Sequence, residues 1–279
     1  MSDTAAANDL PPIAFIGGGN MAAAIIGGLI ADGLASADIH VVEPAADARQ
    51  RLLTQHGVTA QAAPGAFLER AEIVVWAVKP QVFAEAATAS APHTPHALHL
   101  SIAAGIRTSS IAQWLSSERV VRAMPNTPAL VGLGMTGLFA RNGASDADRA
   151  LAEQVIAGTG QHVWVDEEAQ LDAVTALSGS GPAYVFYFLE AMVAAGQQMG
   201  LSQEQAHMLA VGTFVGASEL ARASTESPEQ LRSRVTSKGG TTHAAITRLE
   251  AAGVKGQFIA AMQAARHRAR ELGDEFGAG

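Results

Sequence analysis

An open, doubly wound α/β sheet followed by an all-α region is the architecture this 279-residue sequence predicts, on three observations. Short, nearly continuous apolar runs alternate with helical stretches up to about residue 165. A glycine-rich turn separates the first of these runs from the first helical stretch. After Asp166 the strand-like runs stop, and Asp172 to Leu272 is dense in alanine, leucine, methionine and glutamine, which favour helices. The expected layout is a flexible tail over 1–12, an α/β domain over 13–165 and a helical domain over 166–279.

Ile13 to Ile16, Ile39 to Val42, Ile73 to Val78, Leu98 to Ile102 and Val120 to Ala123 are apolar almost throughout. Such runs suit strands covered on both faces of a parallel sheet. The segments between them are long enough for crossover helices. Met135 to Ala140 and His162 to Val165 extend the sheet at its edge. In the helical part, Ser180-Gly181-Pro182 gives a cap followed by proline at the first helical position, and Ser227-Pro228-Glu229 repeats the signal. The helix starting near Pro182 is apolar nearly all round (Val185, Phe186, Phe188, Leu189, Met192, Val193), the pattern of a buried helix. In a region of roughly a hundred residues a second subunit most easily supplies that burial, so this part reads as a dimerisation domain.

Composition removes several function classes. A formal charge of −8, with no basic cluster of five or more residues, argues against a nucleic-acid partner. The absence of cysteine excludes thiol catalysis, disulfides and thiolate metal sites. Among nine histidines, His93, His96 and His99 recur at three-residue intervals, but they straddle Pro95 and run into a strand, so no metal is expected. The first eleven residues carry neither a cationic start nor an apolar stretch, so no secretory signal is expected. The apolar run Ala183 to Leu189 meets Glu190 well short of the roughly 20 residues a membrane span needs. A cytoplasmic protein with no membrane partner is expected.

Gly17-Gly18-Gly19-Asn20-Met21-Ala22 follows the first strand and opens the first helix, matching G-x-G-x-x-A. Gly17 permits the tight turn, Gly19 lets backbone approach a pyrophosphate, and Ala22 lets helix and strand pack closely. The phosphates then meet the amides at the helix start, around Asn20 and Met21. This is a Rossmann-type dinucleotide site. Glu43, directly after the second strand, either accepts from the adenine ribose 2′-hydroxyl, favouring NAD, or is a solvated turn acid before Pro44. Arg49 and Arg51 are near enough in sequence to reach a 2′-phosphate instead, so NADPH or NADH stays open. Ala77-Val78-Lys79-Pro80 and Met124-Pro125-Asn126-Thr127-Pro128 each end a strand at the carboxyl edge, where such sheets bind ligands. Pro80 turns the chain over the cofactor, Asn126 and Thr127 are expected to present an amide and a hydroxyl toward its nicotinamide, and Met124 is expected to touch the cofactor as well.

Val235-Thr236-Ser237-Lys238-Gly239-Gly240-Thr241-Thr242-His243 precedes an amphipathic helix. A helix cap needs only one hydroxyl or glycine; this loop has many, which suits an anion site built from N–H donors at a helix start. Ser237, Lys238, Gly239, Gly240, Thr241 and Thr242 are therefore expected to hold a small carboxylic acid. Leu177-Ser178-Gly179-Ser180-Gly181-Pro182 reads as a second hydroxyl and glycine loop, whose small residues suit close helix packing.

From Ile13 to about Leu272 the chain resembles the pyrroline-5-carboxylate reductase family. The resemblance is carried by Val235 to Thr242, by Ala123 to Pro128, by Ser178 to Tyr184 and by Ala77 to Pro80, in that family's order. It implies reduction of 1-pyrroline-5-carboxylate to L-proline by NADPH or NADH, and a helical domain interlocked into a homodimer, in several members a ring of dimers. It also implies that Thr242 hydrogen-bonds the ring nitrogen, that Ser237 to Thr241 hold the carboxylate, and that Ala77 to Pro80 touch the cofactor. Glu43-Pro44 departs from the hydroxyl, asparagine or arginine types often found there, and Lys238 stands where proline is common. Two other readings compete. A β-hydroxyacid dehydrogenase needs a helix-borne lysine, and Lys79, Lys238 and Lys255 are poorly placed for one. A non-catalytic nucleotide-sensing protein need not keep the hydroxyl loop.

Overall fold

The computed structural model describes residues 10–277. Its sheet has eight strands in the order β3-β2-β1-β4-β5-β6-β7-β8: β1 (Ile13–Ile16), β2 (Ile39–Val42), β3 (Ala60–Gln61), β4 (Ile73–Trp76), β5 (Leu98–Ser101), β6 (Val120–Met124), β7 (Gly134–Ala140) and β8 (Gly160–Trp164). All neighbours pair in parallel except β6 and β7. β1 lies between β2 and β4, with Ile13 opposite both Ile39 and Ile73. The chain winds outward from β1 to β3 and then resumes on the other side, which leaves a crevice at the carboxyl ends of β1 and β4. β3 was not foreseen, because two residues with no apolar run carry no periodic signal.

Alternate residues of each strand enter opposite layers. Ile13, Phe15, Val41, Val75 and Leu100 pack with Ile25, Ile26 and Leu29 of α1 (Asn20–Ala31) and Val155 of α5 (Asp146–Ile156). Ala14, Ile16, Val74 and Trp76 pack on the other face with Phe83 and Ala87 of α3 (Phe83–Ser90) and Ile111 and Leu115 of α4 (Thr108–Leu115). Double cover is why the strand sequences are apolar almost throughout. α2 (Ala46–His56) completes the set of crossover helices. Of the tail expected over 1–12, residues 1–9 lie outside the described residues. Leu10 is buried in the core, and the Pro12 carbonyl accepts from the Glu72 amide, so this stretch is part of the folded unit.

Contacts divide the chain into one unit of residues up to Ser180 together with those from Ala265 onward, and a second of Gly181–Ala264. In the first, α6 (Gln170–Val174) runs on into a π-helical turn, Thr175–Gly179, closed by the Ser180 amide on the Thr175 carbonyl at 2.8 Å. The loop expected over 177–182 is therefore helical up to Gly179. Glycine served as a loop marker in the sequence, but here it answers a packing demand: a Cβ on Gly179 would lie 2.7 Å from the Met124 Cε. The Thr175 and Ser178 hydroxyls donate back to the Leu171 and Val174 carbonyls.

The second unit holds α7 (Gly181–Gln198), α8 (Gln203–Ala223), α9 (Pro228–Arg234), α10 (Thr241–Ala251) and the start of α11 (Val254–Gly277). Ser202 and Ser227 each begin a helix with a capping box, closed by Gln205 and Gln230. Tyr184 and Phe188 stack edge-on against Phe258. The burial expected for the helix at Pro182 is not supplied within one chain. Phe186 is 59% and Tyr187 70% exposed, as is Leu220 of α8 at 70%, because so few helices cannot enclose an apolar helix. No helix among the described residues is long and apolar enough to cross a membrane.

Candidate active site

The glycine turn is built by three different demands. Gly17 has φ +98°, and a Cβ on it would lie 2.6 Å from the Ala77 carbonyl oxygen at the end of β4, so both backbone conformation and strand approach require glycine. At Gly18 a Cβ would press on Leu52 at 2.7 Å. Gly19 is the cap residue of α1 at an ordinary φ of −72°, with no protein atom within 4 Å of where its Cβ would be. No intramolecular contact demands glycine there. The open ground leads to the amides of Asn20, Met21 and Ala22, which have no acceptor within the helix. Ala22 is fully buried, as close packing of α1 on the sheet requires.

Beside this turn lies a cleft of about 520 Å³, whose walls include Gly17, Gly19, Glu43, Ala77, Val78 and Lys79. Glu43 is half-buried; its Oε2 accepts from the Gly18 amide and its Oε1 from the Ala45 amide, both at 2.8 Å. Two backbone amides thus hold the carboxylate at the cleft wall. Arg49 Nη1 donates to the Glu43 and Pro44 carbonyls at 2.9 and 2.6 Å, and Arg51 is exposed on α2. Lys79 makes no ion pair among the described residues and precedes the short helical turn Pro80–Val82 that leads into α3. Ala62, Ala63 and Pro64, just past β3, also line the cleft. They carry no local signal, because β3 itself has no apolar run. These walls fit a dinucleotide: a turn open to phosphate, a helix start with free donors, and an acceptor after β2.

Met124 and Asn126 stand apart from that cleft wall. The side chain of Asn126 is spent on backbone, donating from Nδ2 to the Ser178 carbonyl at 3.1 Å and accepting at Oδ1 from the Met135 amide at 2.9 Å. The strand-end loop after β6 and the π-turn are thereby joined, a link invisible in sequence because each partner is a backbone group.

In the second unit, Ser237 to Gly240 form a turn closed by the Gly240 amide on the Ser237 carbonyl at 3.0 Å. Gly239 takes φ +78°, and a Cβ on Gly240 would strike the Ser237 Oγ at 2.8 Å. Gly240 caps α10 with no side-chain hydrogen bond, which leaves the amides of Thr241, Thr242 and His243 without intrahelical acceptors. The Thr236 hydroxyl donates to the Arg232 carbonyl at 2.6 Å and so belongs to the end of α9. Among the described residues the hydroxyls of Ser237, Thr241 and Thr242 have no such bond; Thr242 is half-buried and Lys238 exposed. The three histidines do not converge. His99 is buried in β5 and accepts from Trp76 Nε1, whereas His93 lies beside Glu69 at the surface.

Residues 168–272 match the family model described as pyrroline-5-carboxylate reductase dimerisation, and residues 12–105 one described as NADP oxidoreductase, coenzyme F420-dependent. The pyrroline-5-carboxylate reductase of Pseudomonas aeruginosa is 44% identical over 269 residues, 96% of this chain and 98% of that one. The chain belongs to the pyrroline-5-carboxylate reductase family. A solved reductase of this family from Coxiella burnetii superposes with a TM-score of 0.87 at 40% identity, covering 95% of this chain and 99% of that one. The Plasmodium falciparum reductase, solved with NADP bound, gives 0.85 at 26% identity, covering 96% and 100%. The dimerisation match falls on the helices whose apolar faces one chain leaves uncovered.

Proposed function

We propose that the chain performs its family's reaction with Ser237 to Thr241 holding the substrate carboxylate and Thr242 serving the ring nitrogen. The reaction is reduction of 1-pyrroline-5-carboxylate to L-proline by NAD(P)H, the last step of proline biosynthesis, carried out by a homodimer. One observation carries the residue assignment: α10 begins with uncapped amides beside three hydroxyls that have no hydrogen-bond partner among the described residues. A small carboxylate supplies what those donors lack, at about 1.5–3 kcal/mol for each charge-assisted hydrogen bond. Lys238 adds a positive charge at the same turn.

The Thr242 hydroxyl donates to the lone pair of the neutral ring nitrogen, relays a proton toward it as hydride arrives, and holds the imine in one orientation. A protonated cyclic imine is strongly electrophilic, so positioning supplies most of what is needed, up to about 7–11 kcal/mol. The nicotinamide, when bound, supplies the hydride. Gly17, Gly19, Asn20, Met21 and Ala22 hold the pyrophosphate. Glu43 and Ala77 to Pro80 flank the adenosine half, while Met124 and Asn126 support the sheet edge. The test is Thr242→Ala: kcat/KM for pyrroline-5-carboxylate falls about 10- to 100-fold, the worth of one such bond, while nucleotide affinity stays within about twofold. Full activity would remove Thr242 from the mechanism.

A further inference from the structure

We infer that this chain selects NADH over NADPH, and that Glu43 together with Pro44 makes the selection. The inference rests on the proposed function in one respect, that the glycine turn holds a dinucleotide. In such folds the residue that ends the second strand meets the ribose hydroxyls of the adenosine half. Glu43 occupies that place. Its amide bonds the Gln61 carbonyl of β3 at 2.8 Å, and its carboxylate is pinned between the amides of Gly18 and Ala45. Each carboxylate oxygen has a second lone pair free, enough to accept from a ribose 2′-hydroxyl.

A 2′-phosphate in the same place is poorly provided for. Glu43 is acceptor-only when ionised, Pro44 has no amide hydrogen, and the Ala45 amide is already used by Glu43. The phosphate would add close to two negative charges beside a fixed carboxylate. Of the cations nearby, Arg49 is turned onto the Glu43 and Pro44 carbonyls, which ties it to the loop, and Arg51 is exposed and absent from the cleft wall. Lys79 is the one cation lining the cleft, and it belongs to the β4 side, beside Ala77 and Val78. A relative that binds NADP therefore need not predict the preference of this chain, because the discrimination depends on these few residues.

The test uses the full chain with ADP-ribose and 2′-phospho-ADP-ribose in direct titrations, beside kcat/KM for NADH and NADPH at saturating pyrroline-5-carboxylate. ADP-ribose binds at least about 10-fold tighter than its 2′-phosphate, and kcat/KM favours NADH by a similar factor, as one charge-assisted hydrogen bond would give. Glu43→Ser lowers both ratios at least about 10-fold, and Glu43→Asp largely retains them. Equal or better use of NADPH by the parent enzyme would overturn the selection while leaving the reductase reading intact. An equal loss for both cofactors in Glu43→Ser, at unchanged ratio, confines Glu43 to holding the glycine turn and overturns it too. Failure of both probes to bind the parent chain would sink the dinucleotide reading itself.

Discussion

Asn126 and Ser178, 52 positions apart, are joined by a hydrogen bond of 3.1 Å from the side-chain amide to the backbone carbonyl. The other end of the same amide takes the Met135 N–H at 2.9 Å. Sequence reasoning set this side chain against the nicotinamide, yet both its ends are engaged by backbone. It fastens the loop after β6 to the π-turn. Asn126→Ala leaves a part-buried carbonyl and an amide unpaired and costs about 1–3 kcal/mol. The expected reading is a lower urea midpoint at unchanged m-value; an equally stable variant would show that the fastening contributes nothing.

Gly17 and Gly19 separate folding from binding. Gly17→Ala forces a left-handed backbone on a side chain, about 1–2 kcal/mol, and drives its methyl into the Ala77 carbonyl. That variant loses several degrees of Tm or fails to accumulate as folded protein. Gly19→Ala meets no protein atom and keeps its ordinary φ. It folds with unchanged or slightly higher stability, and NADH affinity falls at least about 10-fold because the methyl stands where the phosphates approach. Unchanged NADH affinity in Gly19→Ala would place the pyrophosphate elsewhere.

Legibility followed the reach of each interaction along the chain. The strands covered on both faces announced themselves as apolar runs, and β1, β2 and the glycine turn fall where their residues put them. The capping box at Ser227 is likewise local. What stayed hidden depends on partners far away in sequence: β3, the cleft wall at Ala62 to Pro64, the close packing of Gly179 on Met124, and the bonds of Asn126 and Glu43 to backbone. The exposed faces of α7 and α8 belong to a third kind, since their cover is another chain.

Arg122 and Glu168 form a second long-range tie. Arg122 is buried in β6, and its Nη1 lies 2.7 Å from Glu168 Oε1; the Thr108 amide and hydroxyl donate to the same carboxylate, each at 2.7 Å. Burial opposes ionisation of Glu168, but Arg122 and the Thr108 donors outweigh it and hold the carboxyl below its ordinary range. A depressed carboxyl stabilises the fold above the unfolded value and loses that contribution as pH falls through the folded one. Glu168→Gln leaves a buried guanidinium without its partner and costs about 3–5 kcal/mol near neutrality. Urea unfolding at pH 7 and again below pH 4 measures it. The gap between parent and variant narrows at the lower pH; a gap of the same size at both would deny the ion pair its role.

His99 carries the clearest pH signature. Its imidazole is buried in β5 and takes the Trp76 Nε1–H on Nδ1 at 3.2 Å, which assigns its own proton to Nε2. Burial, and then the charge of Arg119, lower its pKa from 6.5 to about 4. Between those two values the unfolded chain binds a proton that the folded chain refuses, so stability rises with pH across the window and is lost as pH falls. The loss from this one group amounts to about 2 kcal/mol between pH 7 and pH 5. Nitrogen-edited NMR of the histidines should show His99 as the Nε2–H tautomer with a shift that stays flat down to pH 5. In His99→Gln the fall in stability between pH 7 and pH 5 should be smaller than in the parent by that amount. An imidazole titrating near 6.5 would mean that water and protons reach the middle of this sheet.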